Sequence, residues 1–164
     1  MPTARHQRPD RSTENKLRAL MNDWPASWAG ERKDKPIGMA LVDLMRPFVV
    51  YLQMRGFARN TIRRHVNNLW AIGGEIIRDL DNDSKLRTKP AERLLIDAID
   101  QGDAPLLMHA TEEEQRSVDA TARKLFRYLT VQESAQCSAI GELGAPRSKV
   151  HRRGWGPKKP AAAP

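Results

Sequence analysis

Only one cysteine stands in the chain, Cys137, so no internal disulfide can form, and with no second thiol or suitably spaced histidine near it a zinc site has no ligand set. Histidine is as sparse: His6, His65, His109 and His151 lie scattered without an i,i+4 pair, and no metal is expected. No apolar run approaches the roughly 20 residues of a membrane span, and the N-terminal MPTARHQRPDRSTENK lacks the apolar stretch of a secretory signal. A cytoplasmic protein is therefore expected, nucleoid-associated if the source is bacterial, with no membrane partner. Catalytic signatures are missing too. There is no G-x-x-x-x-G-K-[ST] loop, no G-x-S-x-G elbow, no H-E-x-x-H and no nucleophile with a base beside it, so neither an enzyme nor a cofactor or small-molecule substrate is expected. The acids Asp79, Asp81 and Asp83 fall at a helix end and linker, and Glu112 to Glu114 in a helix first turn, where the structural role outweighs metal binding.

What the chain does have is cationic charge, unevenly placed. The net charge is +8 with a pI near 10.1 over 164 residues, enough for one domain with tails. Residues 54–66 carry Arg55, Arg59, Arg63 and Arg64 with no acid, and residues 147–159 carry Arg147, Lys149, Arg152, Arg153, Lys158 and Lys159, again with none. The span from Glu75 to Asp119 is acidic on balance. Segregation of this kind points to a polyanionic partner more strongly than the net charge does.

The apolar periodicity is helical throughout. Residues 1–36, rich in Arg, Pro and small polar residues, read as a flexible N-terminal arm with a short helix around Asn15 to Met21 and with Trp24 and Trp28 as docking points. Leu41, Leu44, Met45, Phe48, Val49 and Leu52 form an amphipathic stripe in which Pro47 either kinks the helix or opens a new one. Gly56 ends it. The next helix starts around Ala58 to Thr61, with Asn60 or Thr61 as cap, and buries Ile62, Val66, Leu69, Trp70, Gly73, Ile76, Ile77 and Leu80. Opposite lie Arg63, Arg64, Asn67, Asn68, Ala71, Glu75 and Arg78. After the linker DNDSKLRTK, Pro90 opens a short helix closed by Gly102. Thr111 and Glu114 form a capping box for a helix from Glu112, with Val118, Ala122, Leu125, Phe126 and Leu129 inward and Arg116, Arg123, Lys124 and Arg127 outward. A helical body over 37–132 and a basic disordered tail over 133–164 follow, in an all-α fold.

Arg59, Asn60, Arg63, Arg64, Asn67 and Asn68 fall within ten positions without a carboxylate, whereas an ordinary exposed face mixes signs to gain i,i+4 pairs. Arg contacts phosphate or guanine and Asn pairs with adenine, so this is the residue set of a helix entering a major groove, with Arg55 and Thr61 beside it. The stripe on the last helix shares its surface with acids. Arg152 and Arg153 in the tail suit phosphate attraction rather than base reading, and Trp155 beside them either stacks on a base or, as a tail residue, has no set role.

Phe48, Tyr51, Leu52, Gly56, Thr61 and Ile62, followed by Leu69, fit F-x-x-Y-L-x-x-x-G-x-x-x-x-T-I. This pattern resembles the first helical hairpin of the core-binding (SAM-like) domain of tyrosine recombinases, the phage-integrase family. Arg116 to Leu129, RSVDATARKLFRYL, is similar to the last helix of that domain, and the likeness spans about residues 38–131. Ala58 departs from the usual Ser or Thr cap. The resemblance implies a compact four-helix orthogonal bundle forming half of a clamp on double-stranded DNA, its second and fourth helices facing the grooves. The catalytic Arg, His-x-x-Arg and nucleophilic Tyr of the family have no counterpart: His151-Arg152-Arg153 does not reproduce the motif, and Tyr51 and Tyr128 fall inside the helices. The expectation is a non-catalytic DNA-binding protein, an accessory or remnant of a mobile element, with a recombinase or a second copy as further partner. Two alternatives stand beside it: a helix-turn-helix regulator built on GFARNTIRRHVNNL, and a helical adaptor whose acidic middle segment binds a protein.

Overall fold

Two long helices joined by a Gly turn organise the molecule. In the computed structural model, which describes residues 11–100 and 103–143, helix α1 spans Arg11–Asn22, α2 Trp24–Trp28, α3 Asp34–Met54 and α4 Arg59–Asn82. A 3-10 turn follows over Ser84–Thr88, then α5 over Ala91–Ala98 and α6 over Glu112–Leu143. The fold is all-α, with no strand among the described residues.

The α3–α4 turn is written in its backbone. Gly56 takes φ 74°, and the N–H of Gly56 donates to the Gln53 carbonyl while that of Phe57 donates to Leu52, which is the 5→2 and 6→1 pair of a Schellman end. Helix α3 is uninterrupted. Pro47 lies inside it on an exposed position and neither ends it nor starts a second helix. Leu41, Met45, Phe48 and Leu52 are fully buried, and this i, i+4, i+7, i+11 stripe is where the apolarity of α3 goes. By length and hydropathy α3 also meets the criterion for crossing a membrane, as core helices often do.

The expected boundary at residue 37 moves back into the arm. Residues 11–36 are not a loose segment: they form α1, α2 and the start of α3, and Met21 and Trp24 belong to the core. Trp24 and Trp28 do dock, with ring centroids 5.6 Å apart. The Trp28 ring lies across Gly73 of α4, where a Cβ would stand 2.4 Å from Cη2; only the missing side chain leaves room. At the other end, α6 continues to Leu143, past the point near Val131 where the apolar period fades. Residues 1–10 and 144–164, with Arg152, Arg153 and Trp155, lie outside the described residues, as does Gly102.

A charged clasp closes the base of the bundle. Asp34, fully buried at the start of α3, accepts from the Glu31 backbone N–H at 2.6 Å and from Arg87 Nη1 at 2.6 Å, while Arg87 Nη2 reaches Asp81 at 2.6 Å. One guanidinium on the 3-10 turn thus fixes the linker against α3 and the end of α4. Burial pushes the Asp34 carboxyl upward, but the Glu31 and Arg87 hydrogen bonds outweigh it and hold the group below its ordinary value.

Candidate nucleic-acid interface

Helix α4 has the two faces its sequence promised, with three changes of register. Ile62, Val66, Leu69, Gly73, Ile76, Ile77 and Leu80 are buried as expected, but Ile72 and His65 join them and Trp70 does not. Trp70 is 46% exposed and its indole N–H donates to Ser27 Oγ at 3.1 Å. The cap also differs. Ala58 occupies the N-cap without a side-chain hydrogen bond, so neither Asn60 nor Thr61 closes the helix.

The seam between α4 and α6 is polar and specific. Asn68 Nδ2 lies 2.8 Å from the Ser117 carbonyl, 3.0 Å from Ser117 Oγ and 2.8 Å from Thr121 Oγ1, and His65 Nδ1 shares a hydrogen bond with Thr121 Oγ1 at 2.8 Å. Asn68, expected at a base edge, is half-buried at a cleft and its amide is engaged with α6, which it fixes on α4. His65 Nε2 is buried with no partner, and the ring stands edge-on to Phe57. Burial lowers the tendency of His65 to protonate, and the Lys124 and Arg64 cations lower it further. Farther along α6, Lys124 Nζ sits 5.4 Å from the Phe57 ring centroid, and Tyr128 packs on Phe48 and Tyr51.

This crossing leaves an open cleft of about 650 Å³ beside α4. Asn60, Arg63, Arg64, Asn67 and Asn68 line one side, and Leu107 to Ala110 with Glu114 line the other. The capping box that starts α6 forms as the sequence indicates: Thr111 N–H donates to Glu114 Oε2 at 2.8 Å and Glu114 N–H to Thr111 Oγ1 at 3.3 Å. The Thr111 N–H and the Thr111 hydroxyl, which donates to the same Oε2 at 2.9 Å, hold the Glu114 carboxyl below its ordinary value and engage it locally.

The structure gathers some of the expected residues and leaves others apart. Arg55 and Arg59 are exposed where α4 begins, and Thr61 is half-buried there. Arg123 and Arg127 are exposed on α6 but do not line the cleft, Lys124 is drawn over Phe57, and Arg116 is tied to Glu112 one turn before it. The α4 group combines four cations within ten positions with a lack of carboxylate partners, a lack that, among the described residues, Arg32, Arg123 and Arg127 share singly or as a pair. Arg46, Arg78, Arg87, Arg93 and Arg116 each face a carboxylate within 4.0 Å, whereas Arg55, Arg59, Arg63 and Arg64 have none among the described residues. No group of three or more His, Cys, Asp or Glu among the described residues is placed to hold a metal ion. Comparisons with protein-family models, curated proteins and solved structures find no match to this chain.

Proposed function

We propose that this protein binds double-stranded DNA without cutting it, through the first half of α4. One observation carries the reading: Arg55, Arg59, Arg63 and Arg64 stand exposed within ten positions with no carboxylate within 4.0 Å among the described residues, whereas Arg46, Arg78, Arg87, Arg93 and Arg116 each face one. Unpaired guanidiniums on a rigid helix keep their full attraction for phosphate, and each phosphate neutralised releases counterions. Asn60 and Asn67 on the same face supply base-edge or phosphate contacts, while Asn68 is committed to Ser117 and Thr121. The basic tail adds sequence-independent affinity. A role as an accessory of a mobile element, with a recombinase-like ancestry, is the biological setting this proposal favours.

The test is fluorescence anisotropy of the full chain on a labelled duplex over a range of salt, beside a chain ending at residue 143. The proposal expects binding at low salt that weakens steeply as salt rises and that survives removal of the tail. Absence of binding at low salt, or binding lost entirely with the tail, overturns it.

A further inference from the structure

The loop before α6 carries two bare apolar side chains next to the basic face, Leu106 at 80% exposure and Met108 at 64%. A single exposed leucine means little on a protein surface. Here the backbone beneath it is fixed on both sides. The Leu107 N–H donates to Gln115 Oε1 at 3.0 Å, Gln115 Nε2 donates to the Pro105 carbonyl at 3.2 Å, and the Ala104 N–H reaches Asp119 Oδ1 at 3.3 Å. Gln115 Nε2 also reaches Asp119 Oδ1 at 3.0 Å, so the two anchors support each other. Leu107 packs inward against the core and His109 takes φ 64°, a turn that completes the bend. Leu106 therefore projects from a segment held from beneath, its entropy already restricted. Met108 lines the same cleft as Arg63 and Arg64.

We propose that this loop is an apolar wedge for duplex DNA: Leu106 and Met108 enter between base pairs from the minor groove while the α4 arginines hold the adjacent phosphates. The inference rests on the DNA-binding reading above. Charge complementarity selects the occupant, because a partner covering Met108 also meets Arg63 and Arg64 in the cleft that all three line. Leu and Met are among the apolar residues that wedge into and unstack a base step, and the resulting kink, roughly 20–90°, brings more of the duplex against the protein. Pyrimidine–purine steps, the most easily unstacked, should be preferred.

The experiment uses the full chain and a duplex carrying donor and acceptor dyes at its ends and 2-aminopurine beside a central TA step. Wild type should raise both energy transfer and 2-aminopurine emission on binding. Leu106→Ser with Met108→Ser should abolish both changes while low-salt affinity falls no more than roughly fivefold, since phosphate contacts supply most of it. Binding by wild type without bending or unstacking overturns the wedge and leaves the DNA-binding reading standing. Unchanged bending by the double variant, or a change in self-association as its only effect, also overturns it. Failure of wild type to bind at all overturns both.

Discussion

Replacing Arg87 by Met should destabilise this fold more than any surface charge change, because it strips a fully buried carboxylate of its ion-pair partner. Asp34 has no exposed surface and Arg87 is 16% exposed, so their contact at 2.6 Å is shielded from water on most sides. Opposite unit charges about 4 Å apart attract by about 4 kcal/mol at an effective dielectric near 20, and removing one partner of a buried pair costs about 3–5 kcal/mol. The residual exposure of Arg87, and the Glu31 N–H that Asp34 retains, place the loss near the lower end, about 3 kcal/mol at pH 7. Urea unfolding of both proteins followed by circular dichroism measures it. The pH dependence gives a second check. In the wild type the Asp34 carboxyl is held below its ordinary value, so its contribution is full above that value and is lost as pH falls through the folded one. Without Arg87 burial dominates and raises the group, so the deficit of Arg87→Met should shrink as pH falls toward about 4, near the ordinary carboxylate value. A loss under about 0.5 kcal/mol at pH 7, the size of an exposed pair, would refute the reasoning.

Gly73→Ala should cost about 1–3 kcal/mol, since its methyl would overlap the Trp28 ring, and Trp28→Leu in the same chain should recover part of that loss by thermal melting; additive losses would place the conflict elsewhere. His65 is held neutral in the folded protein, so the stability it confers is full above the ordinary histidine value, about 6.5, and declines as pH falls below it until the folded value is passed. His65→Leu should flatten that part of the stability-against-pH curve, measured by urea midpoints at successive pH values, and an unchanged slope would contradict the assignment.

Much of the architecture was legible because its causes are local. The Thr111 and Glu114 capping box, the Gly56 reversal and the α3 stripe each depend on residues within a turn or two of one another. What escaped depended on partners far along the chain. Asn67 and Asn68 are the same residue type in adjacent positions, and only the arrival of Ser117 and Thr121 half-buries and engages one while leaving the other exposed. Trp70 reads as core on a helical wheel, yet Trp28 fills the slot over Gly73, and Trp70 reaches outward to Ser27. The N-terminal arm has too few apolar residues for its periodicity to announce a helix pair, but Leu17, Met21, Trp24 and Trp28 suffice once α3 and α4 provide a surface. The basic α4 face was visible as composition. The structure added that Arg46, Arg78, Arg87, Arg93 and Arg116 are paired whereas the α4 group, like Arg32, Arg123 and Arg127, is not paired among the described residues, which turns a count of charges into a difference between two kinds of arginine.

That difference is also what the DNA-binding reading stands on, and a charge-matched comparison tests it most directly. Arg63→Ala with Arg64→Ala, and separately Arg78→Ala with Arg93→Ala, remove the same net charge from the full chain, the first pair from unpartnered positions and the second from Glu75 and Asp97. In duplex titrations over a series of salt concentrations, the first double variant should lose at least about tenfold in affinity and lower the slope of log affinity against log salt by roughly 2, while the second stays near wild type. Equal losses from the two pairs would contradict the account, leaving only the net charge of the protein to explain the binding.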